Sequence, residues 1–310
     1  MDAYSIFMRK LEGRIAVVGG ASRGGGRGIA LALAEEGATV YVAARTSREG
    51  PKPADGAPGS VEDTAEEVTR RGGLGIAVPA DLSDEAQTAA LFARVAAEHG
   101  RLDVAANSIW ASRILEYWST PFWKLPPDTW SDTVNTVNAS WHMAVHAAKL
   151  MHRNGGGLMV MVTDNYPDQS GYRGQILYDL GHECLNRMVM GFSRQTKKSK
   201  IAVVGLNPGF MRTERVLMHM QDEKARRQFR FDLSESPEYL GHAVVALAAD
   251  DNVMRRNGEL LWVADMAAEY GFTDTDGRRI PRFDPKAPVQ PIPPEWFALP
   301  AARVTGATGR

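Results

Sequence analysis

The sequence predicts a single doubly wound α/β domain, a parallel sheet with helices on both faces, carrying a substrate lid and a C-terminal extension. Two observations point there. Short apolar β-branched runs alternate with helix-periodic segments for most of the 310 residues, and a dense glycine cluster stands at the first strand-to-helix turn. The strand candidates also read as continuous apolar runs, as strands covered on both faces do.

In chain order, Ile15 to Val18 reads as a strand and Ile29 to Glu36 as the helix after it. Thr39 to Ala43 is a strand, Val61 to Arg71 a helix and Leu74 to Pro79 a strand. Glu85 to His99 is helical, Leu102 to Ala106 extended, and Trp130 to Met151 a long helix. Leu158 to Val162, Ile201 to Leu206 and Glu259 to Val263 complete the strands, with helices over Tyr178 to Gln195 and Pro237 to Ala249.

Three segments interrupt this rhythm. Ser47 to Ser60 is rich in Pro, Gly and charge, and so a surface loop. The insert 110–130 is strongly aromatic (Trp110, Tyr117, Trp118, Phe122, Trp123) and is expected to cover something. Pro281 to Pro300 is proline-dense, an extended tail, and Val304 to Arg310 is expected to be disordered. The domain is therefore set at 1–280, with a lid over 210–236 and a tail over 281–310.

Composition narrows the function classes. A formal net charge of -1 leaves no electrostatic footprint for nucleic acid or an anionic membrane. Cys184 is the only cysteine, which excludes a disulfide framework and fits a reducing compartment. No apolar run is long enough to cross a bilayer, and Met1 to Gly13 lacks a signal-peptide core, so the cytoplasm is expected. His142, His146 and His152 share the long helix at mixed spacing without carboxylates, so no metal site is expected. Met159 and Met161 alternate on a strand and read as core.

The strand Ile15 to Val18 runs into Gly19-Gly20-Ala21-Ser22-Arg23-Gly24-Gly25-Gly26-Arg27-Gly28 and then into a helix. Glycines there let the backbone approach a pyrophosphate, which sits on the free amides of the helix N-terminus. Glycine clusters also mark ordinary loops; the strand–helix context selects a Rossmann-fold dinucleotide site. The stretch resembles the T-G-A-S-x-G-I-G signature of the short-chain dehydrogenases/reductases, with Gly20, Gly24 and Gly26 in the glycine positions, and the resemblance covers about residues 12–265. A closer likeness is to the branch of dehydrogenase/reductase member-one-like proteins. It rests on Pro121-Phe122-Trp123, Met266-Ala267-Ala268-Glu269-Tyr270-Gly271 and Asp274-Thr275-Asp276-Gly277-Arg278.

Cofactor choice follows from charge. A carboxylate at the end of the second strand would bind the ribose of NAD and repel a 2′-phosphate. Here that strand ends Ala43-Ala44-Arg45-Thr46-Ser47, and Arg45 and Arg23 would flank the phosphate, which favours NADP(H). The resemblance implies that Asp81 and Leu82 contact the adenine, though Asp81 or Ser83 also reads as a helix N-cap. It further implies cofactor contacts from Ser22, Asn107, Pro208 and Thr213, the last two in a P-G-x-x-x-T pattern.

The family places Asn, Ser, Tyr and Lys at its active site, Tyr and Lys one helical turn apart. Here Tyr178 stands at the Tyr position, His182 at the Lys position and Asn138 at the helix Asn. Asp164 aligns with the Ser along the strand, Asn165 when counted back from the Tyr, and Thr163 is the nearby hydroxyl. The usual lysine charge, at about 5 Å and an effective dielectric near 20, lowers the Tyr pKa by about two units. Histidine supplies that charge only in part at neutral pH, so Tyr178 is expected to stay protonated, as suits a reductase. A carboxylate beside a carbonyl under hydride attack would repel the growing charge, so Asp164 is expected to be protonated, paired with His182, or facing a cationic substrate.

Trp110, Tyr166, Tyr172 and Phe210 then describe a pocket for a bulky apolar or aromatic small molecule. The expected reaction is hydride transfer from NADPH to a C=O or C=N group, in a homodimer or homotetramer paired through the two long helices. Loss of both Ser and Lys keeps a second reading open: a nucleotide-binding protein without redox activity, or an isomerase or dehydratase using Asp164 and His182.

Overall fold

The computed structural model describes residues 9–53, 56–110, 117, 118, 120–164, 174–228 and 231–282. Its strands are β1 (Ile15–Gly19), β2 (Thr39–Ala44), β3 (Leu74–Pro79), β4 (Val104–Asn107), β5 (Gly157–Val162), β6 (Ile201–Asn207) and β7 (Leu260–Trp262). They form one sheet in the order β3-β2-β1-β4-β5-β6-β7, each pairing parallel. The chain builds outward from β1 to β3, then returns to the other side of β1 at β4. That reversal opens a crevice at the carboxyl ends of β1 and β4, where ligands of such sheets bind.

The helices are α1 (Gly24–Glu35), α2 (Val61–Arg70), α3 (Glu85–His99), α4 (Asp128–Arg153), α5 (Ile176–Thr196), α6 (Glu214–His219), α7 (Glu223–Gln228), α8 (Pro237–Ala248) and α9 (Val263–Tyr270). Because side chains alternate across a strand, β2 sends Val40 and Val42 into one core and Tyr41 and Ala43 into the other. The first core lies under α1, α2, α8 and α9 and includes Ile29, Leu33, Val68, Tyr239, Leu240 and Met266. The second lies under α3, α4 and α5 and includes Phe92, Val95, Met143, Met159, Met161 and Val189. Two covered faces are why the inner strands are apolar throughout.

Several boundaries differ from the sequence reading. The first helix begins at Gly24 rather than Ile29; poor intrinsic propensity in the glycine run is overridden by packing against the sheet and α8. The last strand stops at Trp262, and Val263 opens α9, a helix absent from the pattern above. The N-cap of α3 is Asp84, whose carboxylate accepts from Ala86 N (2.8 Å) and Gln87 N (3.2 Å). Neither Asp81 nor Ser83 fills that role; Asp81 turns back on the Ser83 amide and hydroxyl instead.

The loop after β2 is strapped down. Arg48 pairs with Asp63 and Glu66 of α2; the Ser60 hydroxyl and then Arg48 hold the Asp63 carboxyl below its ordinary range, and Arg48 does so for Glu66. Arg23 donates to the carbonyls of Pro58 and Gly59 from the opposite side. Among the described residues no helix is long and apolar enough to cross a membrane, and no cluster of His, Cys, Asp and Glu could hold a metal. The tail beyond 282, Asn165, Tyr166 and Tyr172 lie outside the described residues, as does part of the aromatic insert.

Candidate active site

At the carboxyl end of β1 the chain turns through Gly20, which donates its N–H to Ala43 O at 2.8 Å. Its φ is +75°, and a Cβ there would strike the Ser108 carbonyl after β4, so only glycine fits the turn. Ser22 is buried beside it, and Gly24 and Gly26 lie in the first turn of α1. Arg23 at the N-cap supplies no side-chain acceptor to that turn, which leaves backbone N–H groups facing the crevice.

One of those amides already holds an anion. The Glu214 carboxylate, at the start of α6, accepts the Gly24 N–H at 2.7 Å. Thr213, immediately before it, caps α6 by accepting from Val216 N at 3.3 Å, and its methyl faces Gly24. An internal carboxylate seated on the glycine turn tests the turn's chemistry: it takes an oxyanion, as a pyrophosphate site requires. Sequence reasoning took Thr213 and passed over its neighbour, although an acid in the first turn of the lid was there to be read.

A second cluster forms where β5, α5 and the segment after β4 converge. Gln175 caps α5 by accepting from Leu177 N at 2.6 Å, which sets Tyr178 in the first helical turn. The Tyr178 hydroxyl donates to Asp164 Oδ2 at 2.8 Å. One turn further on, His182 Nδ1 accepts the Asp164 backbone N–H at 3.0 Å. A ring nitrogen that accepts an amide proton carries none itself, so this geometry favours the neutral imidazole.

Aromatic rings enclose the phenol. Trp110 stacks on His182 with centroids 4.3 Å apart and meets Tyr178 edge-on at 5.0 Å. Trp118 also meets Tyr178 edge-on, at 5.1 Å. Trp110, just after β4, thus touches both Tyr178 and His182 with its indole. Trp110 Nε1 is buried without a partner among the described residues.

The three candidates for the Ser position separate. Asp164 faces Tyr178. Thr163 is buried, and its hydroxyl donates to Asn186 Oδ1 at 2.7 Å, away from the phenol. Asn165 is not among the described residues. Asn186, which the sequence reading did not single out, donates in turn to the Asp164 carbonyl at 3.4 Å and so backs the strand end.

Other candidates disperse. Asn138 lies on α4 with an exposed side chain and, among the described residues, makes no hydrogen bond to Tyr178, His182 or Asp164. Asn107 is buried at the end of β4, donating to Ser140 Oγ at 2.7 Å and accepting from Ile109 N at 3.1 Å. Leu82 is buried, and Asp81 is half-buried next to it after β3. Arg45 is exposed at the end of β2. Pro208 and Phe210 line the turn after β6, half-buried.

A parallel sheet with a glycine turn at its reversal point, an anion-accepting helix start and a tyrosine on the facing helix define a nucleotide-dependent oxidoreductase architecture. The profile of the short chain dehydrogenase family matches residues 14–224, and the chain belongs to that family. The family's enzymes are oxidoreductases that work with a nicotinamide dinucleotide on small molecules. Mouse dehydrogenase/reductase SDR family member 1 is 34% identical over 282 residues, covering 87% of this chain and 86% of the relative, which places the chain in that branch. The 7alpha-hydroxysteroid dehydrogenase of Clostridium sardiniense is 26% identical over 258 residues, 79% of this chain and 90% of the relative. A short chain dehydrogenase from Mycobacterium thermoresistibile shares the fold, with a TM-score of 0.74 at 20% identity over 90% of this chain and 98% of that one.

Proposed function

We propose that this protein is an NADPH-dependent reductase that reduces a C=O or C=N group of a bulky apolar or aromatic small molecule, with Tyr178 as proton donor. The observation that carries the reading is the Tyr178 hydroxyl held on Asp164 at 2.8 Å beside two indoles. The bound dinucleotide supplies the hydride. Gly20, Ser22, Gly24 and Gly26 would hold its pyrophosphate, Asp81 and Leu82 its adenine, and Asn107, Pro208 and Thr213 its nicotinamide end. Arg45, exposed with no acid at the end of β2, would take the 2′-phosphate. Arg23 holds the neighbouring loop through Pro58 and Gly59, and so shapes that site as well as charging it.

Asp164 and His182 set the direction of proton transfer. A carboxylate beside the phenol opposes its ionisation, and a neutral imidazole does not offset this. Tyr178 therefore remains the protonated donor, ready for the alkoxide or amide anion that hydride addition creates. Asp164, which accepts from the Tyr178 hydroxyl, would orient it, and a carboxylate at that place would favour a cationic iminium substrate. Fused-ring substrates are supported by the indole walls and by the steroid activity in the name of the Clostridium relative.

Two long helices present apolar side chains to solvent, Trp130 and Trp141 on α4 and Leu180 and Met190 on α5, which supports pairing into a homodimer or homotetramer. The single cysteine fits work in a reducing compartment, the cytoplasm. The deciding experiment is NADPH consumption against a panel of aryl ketones, fused-ring ketones and cyclic imines, with Tyr178→Phe as control. Isomerisation or dehydration without NADPH consumption would instead establish Asp164–His182 chemistry.

A further inference from the structure

We propose that Glu235 is the positioning residue for the turn Pro208–Thr213, clasping it through both its backbone and its side chain. The inference rests on the nucleotide reading above, in which that turn holds the nicotinamide end.

The lid leaves the sheet after β6 and returns at α8, and its two ends meet at Glu235. The Glu235 backbone N–H donates to Phe210 O at 2.9 Å, and Arg212 N donates to Glu235 O at 2.8 Å, a parallel bridge centred on Met211. The side chain turns inward and is 1% exposed. Its Oε2 accepts the Gly209 N–H at 3.0 Å. Its Oε1 is buried with no hydrogen-bond partner among the described residues.

Charged and titratable groups facing it are Asp274, Arg212 and Tyr239. Arg212 is the neighbouring cation, but its guanidinium is bound to Asp274 Oδ2 at 2.9 Å and to the Ser234 carbonyl. Asp274 also takes the amides of Ser236 and Thr275 and the Ser236 hydroxyl. Burial first, then the Asp274 charge, raises the Glu235 carboxyl to about 8, against the Gly209 N–H and Arg212. A glutamine here would also accept from Gly209, but would set two amide N–H donors where Oε1 has no partner, against one O–H at most for the carboxyl. Once ionised, it has one donor for a full charge, and water must enter beside Gly209 to satisfy it. That entry loosens the pairing of 209–212 with 234–236 and frees the turn.

The test measures amide exchange of Gly209 to Arg212 in the nucleotide-free protein from pH 6.5 to 9.5, corrected for intrinsic rates, and NADPH affinity by fluorescence over the same range. In the unmodified protein, exchange is expected to accelerate through pH 8, and the NADPH Kd to rise about tenfold between pH 7 and 9. In Glu235→Gln both should vary less than about twofold. Asp274→Asn, which removes the like charge and frees Arg212, should move both midpoints to lower pH, and serves if Glu235→Gln fails to fold. A Glu235→Gln profile that follows the unmodified one, or an unmoved midpoint in Asp274→Asn, overturns the clasp. Exchange that responds through Glu235 in a protein that binds no dinucleotide at any pH leaves the clasp standing and removes the proposed function instead.

Discussion

Glu214, on the lid, and Gly24, at the start of α1, share a hydrogen bond of 2.7 Å that spans 190 residues of chain. The carboxylate takes an amide that the glycine turn would offer to a pyrophosphate. On the proposed reading, the nucleotide would compete with Glu214 for that donor. Glu214→Gln and Glu214→Ala are expected to lower the NADPH Kd by about three- to tenfold, because removing a charged acceptor from the amide lifts the competition. Isothermal titration of the two variants beside the unmodified protein measures this, and unchanged or weaker binding would show that the contact is incidental.

Tyr178→Phe should reduce turnover by about 100-fold or more while NADPH binding stays within about twofold, since the hydroxyl serves the substrate. His182→Lys restores a cation one turn from the phenol and should preserve or raise reductase activity, extending any reverse oxidation toward lower pH. His182→Ala is expected to raise the cofactor Kd. Steady-state rates and a binding titration for each variant separate these effects. If Tyr178→Phe turns over at the unmodified rate while Asp164→Asn is dead, the phenol is not the acid.

Cofactor preference is expected to follow Arg45. Arg45→Asp should weaken NADPH binding by tenfold or more while NADH changes little or tightens. Comparison of the two affinities in the unmodified protein is the simpler check, and equal or tighter NADH binding there refutes the assignment.

Folding stability should carry the mark of Glu235. Its carboxyl is raised in the folded protein to about 8, so its contribution is fully present below the ordinary carboxylate range and is lost as pH rises through about 8. The loss is at most about 5 kcal/mol for this displacement. Glu235→Gln should therefore unfold at higher denaturant concentration than the unmodified protein at pH 9, and lose that advantage at pH 5. Parallel urea curves at the two pH values decide it.

Assembly through the long helices is checked by light scattering. A homodimer or homotetramer is expected at micromolar concentration, and Trp141→Glu with Met190→Glu should dissociate it.

The succession of strands and helices along the chain, the glycine turn and the helix that carries Tyr178 were legible because each rests on local rules: alternation of apolar runs, positive φ at a tight turn, and helical spacing. What escaped the sequence depends on contacts between distant segments. That Thr163 turns to Asn186 rather than to Tyr178 is settled by how β5 abuts α5. Nothing local distinguishes Glu235 from exposed acids such as Asp232 and Glu223; its burial comes with Gly209 and Asp274, 26 and 39 positions away. Trp110 was expected in the wall of the pocket, but its stacking on His182 depends on two segments 72 positions apart.

Gly28 on α1 lies so close to α8 that a Cβ there would fall inside the Pro237 carbonyl, and one on Gly241 would strike the Gly28 carbonyl. Backbone rides on backbone at this crossing, with no side chain between to act as a cushion. The crossing therefore works as a fixed anvil: a side chain added at either glycine would force α1 and α8 apart, and with them the glycine turn at one end and the start of α8 at the other.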